Sequence, residues 1–265
     1  MIPAVADAWD PEQYDRFAAE RRQPFDDLLS LLARTPGGRA LDLGCGTGEL
    51  TVELHRHLRA ATTVGIDSSP AMLDRAAALA ADGVRFELAD LTTVAAPAPL
   101  DVIAANAALQ WIPDHEGALV RLGSMLAPRG QLAVQVPANS DHPSHVVAAA
   151  VAGEEPFREA LGGDPPVDPV AANVLAPERY AEVLHEIGFA EQHVRLQVYG
   201  HVLDSATDVV EWTKGTSLTR FKRRLPADLY ARFLDRYRAR LREALGDRRP
   251  YFYPFKRILL WARMA

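Results

Sequence analysis

Four polar side chains close four short apolar runs in the first 110 residues: Asp42, Asp67, Asp90 and Asn106. The first run, Leu41-Asp42-Leu43, leads straight into Gly44-Cys45-Gly46-Thr47-Gly48-Glu49. Glycines there let the backbone turn tightly and lie close against a ligand, which side chains would prevent. A dinucleotide fingerprint needs G-x-G-x-x-G, and Glu49 stands at its third glycine position, so the spacing disfavours that reading. Cys45, inside the turn, reads as a small packed residue rather than a nucleophile. Asp67 ends the β-branched run Thr62–Ile66, about 20 residues past the glycines, where a carboxylate can accept both hydroxyls of a ribose. Ser68-Ser69-Pro70 then reads as a helix cap with proline early in the helix and Met72 on its first turn. Asp90 and Leu91 follow the run beginning at Val84, and Asn106-Ala107-Ala108-Leu109-Gln110-Trp111 follows the run beginning at Leu100. Polar groups delivered in order to the carboxyl ends of successive strands mark the edge where open α/β sheets take ligands.

The elements that must position these groups follow from periodicity. Asp10-Pro11 opens a helix with Tyr14, Phe17, Ala18, Arg21, Phe25, Leu28, Leu29 and Leu32 at helical spacing, ended by Thr35-Pro36-Gly37-Gly38. Strand and helix patterns alternate from Arg39 to Pro137, which predicts a doubly wound, mostly parallel α/β sheet whose fifth strand is Gln131–Val136. Residues 138–176 are Pro/Gly-interrupted with helical pieces. A helix is expected over Pro177–Ile187, stopped by Gly188, and strands over His193–Leu203 and Tyr251–Ala262. Residues 205–247 read as helical, with Trp212, Leu218, Leu225, Leu229, Phe233, Tyr237 and Leu241 buried. No repeat or linker divides the chain. The expectation is one domain, 1–265, with an N-terminal lid helix (1–36), a cofactor-binding core (37–137) and helical insertions (138–176 and 205–247) over the substrate site.

Composition narrows the function. Hydrophobic content of 48% and charged content of 24% describe an ordinary globular chain. No apolar run is long enough for a membrane span, no basic-then-apolar leader opens the sequence, and one cysteine excludes an intramolecular disulfide framework. A cytoplasmic protein, without a membrane partner, is expected. The net charge of −6 argues against a general nucleic-acid binder. That charge is uneven: residues 1–200 carry 14 basic and 28 acidic side chains, residues 201–265 carry 15 basic and 7 acidic. The basic part either balances an acidic body or faces an anionic substrate. The histidines show no metal-ligand spacing, so no metal is expected.

The glycine turn with Asp42 two residues before it resembles motif I of the S-adenosylmethionine-dependent methyltransferases. Over nearly its whole length the chain resembles the trans-aconitate methyltransferase family. The resemblance rests on Trp9-Asp10-Pro11-x-x-Tyr14-x-x-Phe17 with Arg21 and Pro24, on Asp67-Ser68-Ser69-Pro70-Ala71-Met72, and on Asn106 through His115. It continues in Val134-Gln135-Val136-Pro137-x-Asn139, Pro143-Ser144-His145, Tyr199-x-His201, Trp212-x-x-Gly215 and Pro254-Phe255-Lys256-Arg257. The chain departs from the family pattern at Gln23, at Lys214 and in the basic run Arg220-Phe221-Lys222-Arg223-Arg224.

The resemblance implies a Rossmann-like class I methyltransferase fold, seven-stranded with an antiparallel last strand, and S-adenosyl-L-methionine as cofactor. It implies a cofactor set of Asp42, Gly44, Cys45, Gly46, Asp67, Ser68, Met72, Asp90, Leu91, Asn106, Ala107 and Trp111. For a small anionic carboxylate substrate it implies Tyr14, Arg21, Asn139, His145, Tyr199, His201, Trp212 and Arg257, in a monomer or weak homo-oligomer. A carboxylate nucleophile is already ionised at neutral pH and needs no base, and no base with an orienting partner stands out in the sequence. Methylation of a phenol or amine would need one, with His115, His145 or His201 available. A non-catalytic binding protein on the same fold is the remaining alternative.

Overall fold

The computed structural model describes residues 18–265, with side chains from Arg22 onward. The expected helix start at Asp10-Pro11 and Tyr14 lie outside the described residues, as does the Arg21 side chain. The elements are α1 (Ala18–Leu31), β1 (Arg39–Leu43), α2 (Glu49–Leu58), β2 (Thr62–Asp67), α3 (Pro70–Ala76), β3 (Val84–Leu88), β4 (Leu100–Asn106), α4 (His115–Ser124) and β5 (Leu126–Pro137). There follow α5 (Pro143–Ala152), α6 (Phe157–Ala160), α7 (Pro169–Asn173), α8 (Pro177–Ile187), β6 (Glu191–Leu203), α9 (Asp208–Lys214), α10 (Thr219–Lys222), α11 (Ala227–Leu245) and β7 (Tyr251–Arg263). Among the described residues no helix is long and apolar enough to cross a membrane.

The seven strands form one sheet in the order β3-β2-β1-β4-β5-β7-β6. β1 pairs in parallel with β2 and β4, β3 in parallel with β2, and β5 in parallel with β4, while β7 runs antiparallel to β5. The strand order reverses between β1 and β4, which is where a doubly wound sheet opens a crevice at its carboxyl edge. β5 begins at Leu126 rather than at the expected Gln131. Leu126 pairs with Leu100, and the register then shifts before Val102 meets Gln131. Arg129 absorbs the shift with φ of 61°. Pro128-Arg129-Gly130 therefore has a turn's composition but sits inside a bulged strand. α8 ends as its sequence predicts: Gly188 takes φ of 97° and donates back to Leu184 and His185.

The chain divides into two compact units, described separately. The first holds Ala18–Pro137, Asn173–Gln197 and Lys256–Ala265. In it Phe25, Leu28 and Leu32 pack with Leu54, Leu58, Val102, Ala104 and Ala133. The described residues of the second are Ala138–Ala172 and Val198–Phe255. Its core contains Phe157, Trp212, Phe221, Phe233, Tyr237 and Tyr253, with the Phe233 ring 4.8 Å from Phe221 and 5.5 Å, edge-on, from Phe157. Six of the seven positions expected to be buried in 205–247 are buried. Leu229 is only half-buried, because it lies on the first turn of α11 directly after three exposed residues.

Candidate active site

Between β1 and α2 the chain makes three left-handed glycine positions: Gly44 (φ 70°), Gly46 (φ 56°) and Gly48 (φ 89°). The Gly44 and Cys45 amides both donate to the Ile66 carbonyl, at 2.8 and 2.9 Å. The next strand end holds the rest of the turn. Asp67 accepts the Gly46 amide on Oδ2 and the Ser69 amide on Oδ1, each at 2.9 Å. One carboxylate therefore fixes both the glycine turn and the start of α3. A Cβ at Gly44 would lie 2.4 Å from the Ala108 Cβ, so that glycine is required by the segment after β4. A Cβ at Gly46 would meet nothing within 4 Å, which leaves bare backbone facing open space. This is the cradle that a ligand lying against the turn requires.

Asp42 is 5% exposed and accepts the Thr51 hydroxyl at 2.6 Å. Burial pushes its carboxyl up, the Thr51 bond pulls it back and the Asp67 charge adds to the rise, leaving it at about 6. Burial, with the charges of Asp42 and Asp67, drives the Cys45 thiol far above its usual range, which removes any nucleophilic thiolate. Ser69 caps α3 by accepting the Met72 amide at 3.2 Å, and Met72 is buried, while Ser68 is exposed.

Beyond β3, the Asp90 Oδ1 accepts the Thr92 amide and hydroxyl at 2.8 and 2.7 Å, which holds this exposed carboxyl below its ordinary range. The carbonyl of half-buried Leu91 accepts from Arg121 at 2.9 Å. At the end of β4 the Asn106 Oδ1 is buried and has no donor among the described residues. Ala107 adopts φ of 54°, held by its amide on the Gln135 carbonyl (2.9 Å) and its carbonyl on Gln110 Nε2 (2.7 Å). A left-handed alanine costs about 1 kcal/mol, and such strain persists only where the surroundings enforce it. Trp111 is 38% exposed, on the short 3-10 turn Leu109–Trp111. Because β1, β2, β3 and β4 are parallel, all of these residues lie along one edge of the sheet.

Five of the expected substrate residues lie in the second unit. Asn139 is 1% exposed, with Nδ2 3.4 Å from the Tyr253 hydroxyl. His201 is buried, its ring 4.8 Å from Trp212 and 6.4 Å from Phe255, and Trp212 meets Tyr253 edge-on at 5.5 Å. Tyr199 is buried. His145 donates through Nδ1 to Asp168 Oδ2 at 2.6 Å. Arg257 belongs to the first unit, buried, with Nη1 donating to Gln135 Oε1 at 3.2 Å.

The His145–Asp168 pair corrects the sequence reading, in which no base had an orienting partner. Burial alone would raise the Asp168 carboxyl. The hydrogen bond and charge of His145, the Arg220 charge and the Val170 amide outweigh it and bring the group to about 2. The sequence reading singled out neither Asp168 nor Arg220, which the structure brings together with His145. Asp168 hides in a Gly/Pro-rich loop, and the only signal for Arg220 was the unusually basic run that contains it. Two other cations and bases are accounted for structurally. Lys214 is paired with Glu211 at 3.0 Å. His115 donates Nε2–H to the Leu109 carbonyl (2.8 Å), so its Nδ1 accepts the Tyr180 hydroxyl (2.5 Å), and burial lowers its pKa.

A family model described as a methyltransferase domain matches residues 34–173. Over 96% of this chain and 97% of the other, the sequence is 43% identical to the trans-aconitate 2-methyltransferase of Deinococcus radiodurans. The chain belongs to the trans-aconitate 2-methyltransferase family. A second member, from Variovorax paradoxus, is 40% identical over 97% of this chain and 96% of its own length. The fold is also that of the Haemonchus contortus phosphoethanolamine N-methyltransferase 2, solved with S-adenosyl-L-methionine. That match has a TM-score of 0.54 at 16% identity and covers 92% of this chain and 52% of that one.

Proposed function

We propose that this chain methylates a carboxylate of trans-aconitate, or of a similar small polycarboxylate, with S-adenosyl-L-methionine as methyl donor. The observation that carries the reading is the bare Gly46 backbone beside Asp42 and Asp67, in a chain 43% identical to a trans-aconitate 2-methyltransferase over nearly its full length. Bound there, the cofactor would supply an electrophilic sulfonium methyl group. Asp42 would face its amino end, Asp67 the ribose and Asp90 with Leu91 the adenine, while Asn106, with an orphaned buried oxygen, would take a donor. Gly44, Cys45, Gly46 and Ala107 would offer backbone, and Ser68, Met72 and Trp111 would line the nucleoside.

On the substrate side, Asn139, His145, Tyr199, His201, Trp212 and Arg257 are the binding set, joined by Tyr14 and Arg21. A substrate carboxylate has a pKa near 4 and arrives ionised, so the protein's contribution is to orient it and strip its water. The accompanying reading is a monomer or weak homo-oligomer in the cytoplasm, the compartment being supported by the lone free cysteine. A second reading, methylation of a phenol or amine, is favoured by one observation: His145 is oriented by Asp168 in the manner of a general base.

The test is to incubate the purified chain with methyl-labelled S-adenosylmethionine and trans-aconitate, cis-aconitate, citrate, isocitrate and simple phenols. Base-labile label on trans-aconitate is expected. Base-stable label on a phenol would replace the first reading by the second.

A further inference from the structure

Arg220 follows α9 in the second unit, on the four-residue helix Thr219–Lys222. Its side chain is 8% exposed. Nη1 is fully used: it donates to the Ser217 carbonyl at 2.8 Å and to Asp168 Oδ2 at 3.2 Å. The Phe221 ring covers one face of the guanidinium, 4.5 Å from centroid to Cζ. The other edge, Nε and Nη2, is buried and has no acceptor among the described residues. The hydroxyl of Ser217, whose carbonyl Arg220 holds, is also buried without a partner among the described residues. Leaving three polar atoms unsatisfied around one buried cation is costly unless something else completes them. Nε and Nη2 together are a two-donor fork whose spacing matches the two oxygens of a carboxylate.

The geometry points to the Nε/Nη2 edge of Arg220, with the Ser217 hydroxyl, as a carboxylate-binding subsite for the anionic substrate. Asp168 acts as a positioning residue. It grips Nη1 so that the fork is held in one orientation, and His145 donates to the same Asp168 oxygen, Oδ2. Asp168 reaches only Nη1, so the Nε/Nη2 edge is left for an incoming carboxylate. This inference rests on the proposed polycarboxylate substrate and names which side chain reads one of its acid groups.

The experiment compares wild type with R220M, R220K and D168N in steady-state methylation of trans-aconitate, in direct binding of trans-aconitate and S-adenosylmethionine by calorimetry, and in thermal melting. R220M is expected to raise KM for trans-aconitate about 10- to 100-fold, the range expected for charged hydrogen bonds, with cofactor affinity unchanged. R220K restores charge but not the fork and should recover only part of that loss. D168N should raise KM less than R220M does. Melting separates this role from a structural one: without ligand, R220M should melt at or above wild type, whereas an arginine needed for the fold would lower it. An unchanged KM in R220M, or equal loss of cofactor and acid binding, overturns the inference and leaves the proposed function standing. Wild type that binds no polycarboxylate overturns both.

Discussion

Replacing Asp42 by asparagine separates two demands on the same atom. The folded chain moves this carboxyl from 3.8 to about 6, chiefly by burying it. At 1.36 kcal/mol per pH unit the ionised group costs about 3 kcal/mol of stability. The sign follows from proton counting. Between about pH 4 and 6 the folded chain holds a proton that the unfolded chain has lost, so stability falls as pH rises, and above about pH 6 the penalty is complete. Asp42→Asn keeps an oxygen for the Thr51 hydroxyl and removes the ionisation. Allowing about 1 kcal/mol for the amide donors that replace a carboxylate oxygen, a net gain of about 2 kcal/mol is expected near pH 8. Below about pH 4 the gain should give way to a loss of about 1 kcal/mol. Urea denaturation across this pH range, read by tryptophan fluorescence, measures it. Cofactor affinity should fall in the same variant, because the ionised carboxylate is the form that meets an ammonium. Parallel stability curves for the two proteins between about pH 4 and 7, or a less stable variant near pH 8, would refute the assignment of the rise to burial of Asp42.

Three further outcomes follow from the same geometry. Gly44→Ala places a methyl 2.4 Å from the Ala108 Cβ at a left-handed backbone position. It should cost about 2 kcal/mol or more and weaken S-adenosylmethionine binding at least about tenfold in equilibrium dialysis. Ser69→Ala removes the α3 cap but leaves the Ser69 amide on Asp67, and should cost about 1 kcal/mol in chemical denaturation with cofactor affinity little changed. Tyr237→Phe deletes a fully buried hydroxyl that donates to the Ser144 carbonyl at 3.0 Å, and calorimetric melting should show a loss of about 1–2 kcal/mol.

The part of the site legible in the sequence is the part built from local geometry. Gly44 to Asp67 spans a single β-α-β unit, so the turn, the acid after it and the Ser69 cap were readable from spacing, whereas the hold of Asp67 on the Gly46 amide was not. The limits of β5 were hidden because a bulge through Arg129 gives a strand the composition of a turn. The His145–Asp168–Arg220 cluster was hidden for a different reason. Its members lie 23 and 52 residues apart, and no periodicity links a helix residue to a Pro/Gly loop and a short helix. Arg257 stood out because it ends the motif Pro254-Phe255-Lys256-Arg257, whereas Arg220 sits where the chain leaves the family pattern.

The strand order has a consequence for how this molecule can be made. β7 follows every other strand in the sequence yet lies between β5 and β6. Its Ile258, Leu259 and Leu260 are all buried, as an interior strand requires. Until Tyr251–Arg263 leaves the ribosome, β5 presents an unpaired apolar edge, and β6, with Leu196, Val198 and Val202 exposed, has no neighbour to dock on. The nascent sheet is thus a half-built arch waiting for its keystone. A nonsense mutation before residue 251 would leave two open strand edges rather than a slightly shorter enzyme, and such a product is destined for aggregation or proteolysis.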